Sequence, residues 1–431
     1  MQYFSTNRKS PHVTFREAVL RGQPEDKGLY FPEAIAELSK EFVARLNQES
    51  NEQIAFEVIR PYVVGSIPDE LLFEICAETV NFPFPLVNVS ERISALELFH
   101  GPTLAFKDVG ARFMSRCLQH FSRERSEKTI VLVATSGDTG GAVANGFFGV
   151  EGVEVVILYP KDKVSKVQEL QLTTLGGNVT TLELHGTFDD CQALAKRAIA
   201  DADLQNEVFI TSANSINVAR WLPQQFYYFY ALKQWQGEPP VISVPSGNFG
   251  NLASGVLAHF SGLPVSRFIA ACNANDVVPK FFESGEYITK PSVSTLSNAM
   301  DVGDPSNFVR ILEIFKQNFA NLKEKIAAVS ISDEQTAETM RTVSDAYGYV
   351  LDPHGAVAFR ALSDHLEKNP GQKGIILETA HPVKFDSVTQ IIGDQIAIPD
   401  SISDLFSREK VSIEIRPEYE TLKEILLDRS K

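Results

Sequence analysis

Three times along this chain an apolar, strand-forming run breaks into a loop of small residues. Thr129–Ala134 gives way to Thr135-Ser136-Gly137-Asp138-Thr139-Gly140-Gly141, with an alanine-rich helix predicted from Ala142. Val241–Val244 gives way to Ser246-Gly247-Asn248-Phe249-Gly250-Asn251, with a helix predicted from near Leu252. Gly374–Leu377 leads into Glu378-Thr379-Ala380-His381. Apolar runs without polar alternation suit strands buried on both faces, as in a parallel sheet covered by helices. Two more such runs, Val153–Tyr159 and Asn178–Leu184, extend the pattern. A helix between Asp190 and Asp203 puts Cys191, Leu194, Ala195, Ala198 and Ile199 on one face. The pattern predicts an α/β fold with largely parallel sheets, in which ligands bind beyond the carboxyl ends of the strands.

The first eighty or so residues read as a separate unit. A short helix starts at Thr14, Gly28–Pro32 is extended, and Pro68-Asp69-Glu70 opens another helix, with acids in the first turn where its dipole favours them. Asn81-Phe82-Pro83-Phe84-Pro85 ends that helix. At 431 residues the chain exceeds one typical core, so two or three domains are expected. We divide it into an N-terminal domain (1–82), a large domain (83–128 and 212–431) and a small α/β domain (129–211).

Charge and cysteine usage narrow the classes of function. The net charge of −15 argues against a nucleic-acid partner, although a local pocket can still be positive. Apolar runs too short to span a bilayer and the lack of a secretory signal predict a cytoplasmic protein without a membrane partner. Cys76, Cys117, Cys191 and Cys272 form no CxxC pair, so neither a disulfide frame nor a metal site is expected. No residue pattern speaks to whether the chain is a monomer or a homodimer.

Leu98-Phe99-His100-Gly101-Pro102-Thr103-Leu104-Ala105-Phe106-Lys107-Asp108 sets one lysine among apolar and turn-forming residues. Desolvation disfavours the charged amine, so Lys107 reads as a nucleophile for an aldehyde cofactor, against the ordinary alternative of a surface lysine beside a turn. The loop 246–251 reads as an anion site for a cofactor phosphate, or else as a tight βα turn. Residues 135–141 have the same form and suit a substrate carboxylate. Neither loop matches GxGxxG or GxxxxGK[ST], which weighs against dinucleotide and P-loop nucleotide binding. Thr379 can offer a hydroxyl to a heteroaromatic nitrogen, or simply end a strand. Ser212-Ala213-Asn214-Ser215-Ile216-Asn217-Val218-Ala219-Arg220 reads as a phosphate cradle or as a capped helix start with a solvated arginine. Arg112 is a second candidate for the substrate phosphate. His381 is given no role, and Ser297–Pro305 either lines a pocket or connects elements.

These residues in this order resemble the threonine synthase family, in the bacterial and fungal form with its own N-terminal domain. Matching stretches are Gly28–Pro32, Leu98–Asp108, Ala134–Gly140, Ser212–Asn217, Ser246–Gly250, Ser297–Val302 and Thr379–Pro382. The resemblance implies a fold-type II pyridoxal-phosphate enzyme, related to tryptophan synthase β. That fold has two open, twisted, mostly parallel sheets flanked by helices, with pyridoxal 5'-phosphate between them. It implies that Lys107 bonds the cofactor, that Gly247, Asn248, Phe249, Gly250 and Asn251 hold its phosphate, and that Thr379 meets its ring nitrogen. Ser136, Gly137, Asp138 and Thr139 would face the substrate carboxylate, and Asn214, Ser215, Asn217, Arg220 and Arg112 remain candidates for the rest of the substrate. The implied reaction takes O-phospho-L-homoserine and water to L-threonine and phosphate.

A serine or threonine dehydratase of the same fold is the alternative, but such enzymes typically read Ser-Phe-Lys, Ser-Gly-Asn-His and a glycine run at the three sites. Here they read Ala105-Phe106-Lys107, Ser136-Gly137-Asp138-Thr139 and Gly247-Asn248-Phe249-Gly250. Two departures from the family pattern are Asn251, where aspartate is usual, and Glu378, where a small residue is usual.

Overall fold

The computed structural model describes residues 1–123, 128–393 and 396–430. At the N-terminus Val13–Thr14, Gln2–Ser5 and Tyr30–Pro32 form an antiparallel sheet in that order. Thr14 caps the helix Phe15–Arg21 with a full capping box rather than forming its first residue. Pro68 likewise precedes the helix Asp69–Thr79, whose first turn holds Asp69 and Glu70. Tyr3, Phe15, Ile54, Ile59 and Tyr62 bury this unit against the helix Lys107–Ser122 and the aromatic helix Gln225–Gln234.

The larger sheet has six strands in the order Ile326–Ser330, Arg267–Cys272, Val241–Pro245, Gly374–Glu378, Ile93–Glu97 and Leu86–Asn88. The first five run parallel, and Leu86–Asn88 closes the edge antiparallel. The smaller sheet is parallel throughout, in the order Ile413–Ile415, Val179–Leu184, Val153–Pro160, Thr129–Ala134 and Phe209–Ser212. Among the described residues no helix is long and apolar enough to cross a membrane.

Two sequence expectations shift. The large domain was expected to keep everything after residue 212, yet Ile413–Ile415 returns to the smaller sheet and pairs with Val179–Leu184. The helix Tyr419–Arg429 follows, burying Tyr419, Leu422 and Leu426 against Leu182, Leu194 and Ala198. Without this strand the Val179–Leu184 edge would present a row of unpaired N–H and C=O groups open to pairing with another chain.

The helix expected from Ala142 instead starts at Asp138 and includes Gly140 and Gly141. A Cβ on Gly140 would meet Leu172 Cδ2 and Thr135 Cγ2 at 2.5 Å, so close packing sets the glycine there. Its low helix propensity hides the boundary from a sequence reading.

Candidate active site

Lys107 stands at the start of its helix, near Asp138 of the smaller sheet's unit and Lys384 and Arg220 of the larger. It is placed there by a turn that Asp108 sews shut. The Thr103 hydroxyl and backbone N–H donate to the Asp108 carboxyl at 2.5 and 2.9 Å, and Leu104 takes the left-handed conformation (φ 56°). The Phe106 N–H donates to the Thr379 carbonyl at 2.9 Å, so the lysine loop and the threonine loop are one substructure.

Lys107 keeps a little accessible surface, yet the protein around it is dense. Among the described residues no hydrogen bond or ion pair holds its amine. Burial pulls its pKa below the ordinary lysine value; the Asp138 carboxylate opposes that shift, and the Lys384 and Arg220 cations reinforce it. This is the environment a nucleophilic amine requires.

Two anion cradles flank it. At one end Phe249 is left-handed (φ 62°) and the helix Gly250–Phe260 begins behind it. The backbone N–H groups of Asn248, Phe249, Gly250 and Asn251 have no protein acceptor among the described residues. At the other end Gly137 adopts φ 142°, and the N–H groups of Ser136, Asp138 and Thr139 are similarly free at the start of the helix Asp138–Phe147. Thr135 Oγ1 shapes this turn by accepting from Gly137 N at 3.0 Å and Gly140 N at 2.9 Å. The Thr379 hydroxyl, also without a protein partner among the described residues, follows the strand Gly374–Glu378, and its backbone carbonyl holds the lysine loop through Phe106 N. A free amine, two N–H cradles and an unbonded hydroxyl fit pyridoxal phosphate with an anionic amino acid beside it.

Several side chains expected to face ligand are occupied elsewhere. Asn248 donates to Ser215 Oγ at 2.8 Å and accepts from Ser306 N at 2.7 Å, so only its backbone is free for an anion. Asn251 Oδ1 accepts from Tyr228 at 2.9 Å inside the core. Asn217 donates to the Val19 carbonyl at 2.9 Å and caps Ala219 N at 3.0 Å, tying the N-terminal unit to the 212–217 turn. Ser215 Oγ also accepts from Asn307, at 3.2 Å. Arg112 is not a pocket residue: its guanidinium donates to the Glu78 carbonyl and to Asn81 Oδ1 (3.0 Å) in the N-terminal unit. Asp138 turns its carboxylate away from the free N–H groups, onto Lys384 (2.9 Å) and Gln168 Nε2 (2.9 Å).

Arg220 is buried rather than solvated, and no ion pair holds it among the described residues. It is buried against Gly110, where a Cβ would meet its Nε at 3.1 Å, and it donates to the Ala213 carbonyl. Burial pushes its pKa down to about 10. Arg220 is thus a buried cation held against the 212–217 turn through the Ala213 carbonyl.

Sequence reasoning missed Lys384, Gln168, Gln171 and Glu378. Lys384 carried a readable signal, because Pro382-Val383-Lys384-Phe385 repeats the apolar setting used to pick out Lys107. Glu378, noted only as unusual, is fully buried one residue before Thr379. Its Oε1 accepts from Asp352 N at 2.7 Å, and its other oxygen fills the space a Gly355 side chain would take. Asp352 in turn accepts from His354 Nδ1 at 2.5 Å, and His354 Nε2 accepts from Ala299 N at 3.2 Å, which sets the tautomer. This chain links the threonine loop to Ser297–Val302, whose Met300 backbone packs on Gly247. That segment is therefore the wall behind the loop 247–251. His381 caps Val383 N at 3.1 Å, and burial pushes its pKa down to about 4, which keeps it neutral.

Burial and the neighbouring Asp352 carboxyl hold the Glu378 pKa well above its ordinary 4.5. A raised carboxyl pKa means the folded state keeps a proton the unfolded chain releases, so this group's stabilisation is lost as pH rises above about 4.5. Glu378→Gln keeps the shape, an acceptor for Asp352 N and a donor in place of the carboxyl proton, but cannot ionise. Melting midpoints from pH 4.5 to 8 should therefore fall more steeply for the parent than for the variant. Parallel pH profiles would show that Glu378 is ionised in the fold.

Comparison with known proteins agrees with this geometry. Residues 2–80 match the family model described as threonine synthase N terminus, 85–377 match pyridoxal-phosphate dependent enzyme, and 355–426 match threonine synthase, C-terminal. The chain is 41% identical over 432 residues to threonine synthase of Escherichia coli (strain K12), covering 99% of this chain and 100% of that protein. The E. coli threonine synthase crystal structure superposes with a TM-score of 0.92, covering 99% of this chain and 100% of that one. A PLP-bound threonine synthase from Brucella melitensis gives 0.94 at 33% identity, with both chains covered in full (100% each). Threonine deaminase isoform 2 from Solanum lycopersicum, at 17% identity and a TM-score of 0.55, shares the fold over 77% of this chain and 95% of its own. The fold is thus that of the fold-type II pyridoxal-phosphate enzymes, and the chain belongs to the threonine synthase family.

Proposed function

We propose that this chain converts O-phospho-L-homoserine and water to L-threonine and phosphate, using pyridoxal phosphate bound at Lys107. The observation that carries the reading is the unbonded, desolvated Lys107 amine standing between two sets of free backbone N–H groups. The N–H groups of Asn248–Asn251 would hold the cofactor phosphate, and the Thr379 hydroxyl would meet the ring nitrogen without imposing a charge. When bound, the cofactor supplies an aldehyde for amine condensation and a sink for negative charge developing at Cα. Ser136, Asp138 and Thr139 would bind the substrate carboxylate through their backbone N–H groups, which orients Cα toward Lys107. Lys107 is then placed to take the Cα proton and to move protons at the neighbouring carbons while phosphate leaves Cγ and water adds at Cβ. Arg220, bonded to the Ala213 carbonyl, would add positive potential at the end where the substrate phosphate would lie.

Incubating the purified, cofactor-loaded protein with O-phosphohomoserine should release threonine and phosphate in equal amounts. Consumption of serine or threonine with no release of phosphate from O-phosphohomoserine would replace this reading with that of a dehydratase.

A further inference from the structure

Lys384 lies on the short 3-10 turn Pro382–Lys384 of the large unit and is fully buried. Its Nζ reaches three groups: the Thr103 carbonyl at 2.6 Å, Gln171 Oε1 at 3.0 Å and Asp138 Oδ1 at 2.9 Å. Thr103 belongs to the lysine loop, whereas Gln171 and Asp138 belong to the small unit. Gln171 Nε2 donates back to the same Thr103 carbonyl at 3.0 Å, and Gln168 Nε2 donates to Asp138 at 2.9 Å. One ammonium therefore ties the loop that presents Lys107 to the cradle across the cleft.

The cradle contains an electrostatic contradiction. Its free N–H groups suit an anion, yet Asp138 puts a buried carboxylate in the same turn. A second carboxylate at that turn would be repelled unless the first is neutralised, and like charges in low dielectric repel strongly. Lys384 is the cation that contacts Asp138. We propose that Lys384 is a positioning residue with two duties: it cancels the Asp138 charge so that a substrate carboxylate can bind at Ser136–Thr139, and it bolts that cradle at a fixed distance from Lys107.

The proposal rests on the reading that the cleft takes an anionic amino acid; turnover of O-phosphohomoserine by the unmodified protein checks that reading separately. The test compares Lys384→Met, Asp138→Asn and the double variant as cofactor-loaded proteins, by kcat, KM and thermal midpoint. Lys384→Met leaves the Asp138 carboxylate without its contacting cation, so KM should rise at least tenfold and kcat fall at least tenfold. On Lys107 the same charge is then opposed by Arg220 but no longer by Lys384, which makes the amine more basic, so the acid limb of the pH–rate profile should move to higher pH. The double variant removes the stray charge but not the lost bolt. Its midpoint and KM should recover toward the parent's while kcat stays at least tenfold low.

If Lys384→Met does not fold, the double variant, which adds no unpaired buried charge, still decides the matter. Recovery of midpoint, KM and kcat together in the double variant would make the pair a packing feature only and overturn the proposal. So would a Lys384→Met protein with KM, kcat and pH profile within twofold of the parent.

Discussion

Lys107→Ala should retain the fold and lose turnover by on the order of 10³-fold or more, since both nucleophilic and proton-transfer roles disappear with one side chain. The fold should survive because the amine makes no hydrogen bond or ion pair among the described residues for the substitution to break. Removing it relieves a desolvated cation that Lys384 and Arg220 already crowd. The melting point of the cofactor-free variant should thus equal or exceed that of the cofactor-free parent. Lys384 cannot take over as nucleophile, because its ammonium is tied to Thr103, Gln171 and Asp138. The loaded parent should be yellow and incorporate the cofactor on borohydride reduction, whereas the variant should do neither after gel filtration. Residual activity above about one per cent would mean that another group moves the protons.

What could be read from the residues, and what could not, divides along the range of the interaction involved. Thr129–Ala134 was legible as a strand because a continuous apolar run suits a strand covered on both faces, and the strand spans those residues. Lys107 was legible because a lysine between Ala105-Phe106 and a helix start is unusual locally. Lys384 sits in equally apolar company but draws its meaning from Asp138, 246 positions earlier, and from Thr103, 281 positions earlier. The same is true of Asn217 and Arg112. Their side chains look like ligand donors in one dimension, yet they are used by Val19, Glu78 and Asn81 of the N-terminal unit. A polar residue in a loop advertises its chemistry but not its partner. The strand Ile413–Ile415, three residues long and flanked by charge, gave no periodicity; its place is dictated by the open edge it covers.

The loop 247–251, proposed to hold the cofactor phosphate, yields the second large effect, through Gly247→Ala. Gly247 does not need a left-handed φ, so the substitution tests close approach rather than backbone freedom. A Cβ there would overlap Met300 Cα and stand 3.0 Å from the Met300 carbonyl carbon. Met300 cannot simply retreat. Its N–H donates to Ser297 at 2.9 Å and its carbonyl accepts from Val302 at 2.8 Å. Ala299 N is bonded to His354, and Asp301 accepts from Thr295 N at 3.0 Å and Asn273 Nδ2 at 2.9 Å. The displacement must therefore fall largely on the loop 247–251, whose free N–H groups are useful only while they converge on one point. A shift of about 1 Å in such donors costs on the order of 10²-fold. Cofactor affinity, measured by fluorescence titration of the cofactor-free protein, should weaken by that factor. Overpacking should also destabilise the fold by about 1–3 kcal/mol. Gly250→Ala is the matched control: its Cβ would meet Asn307 Nδ2 at 3.5 Å, an ordinary contact at the start of a helix. That variant should bind the cofactor within a few-fold of the parent. If both variants lost affinity equally, the contact with Met300 would not be what positions the loop, and the donors would have to be held from the helix side instead.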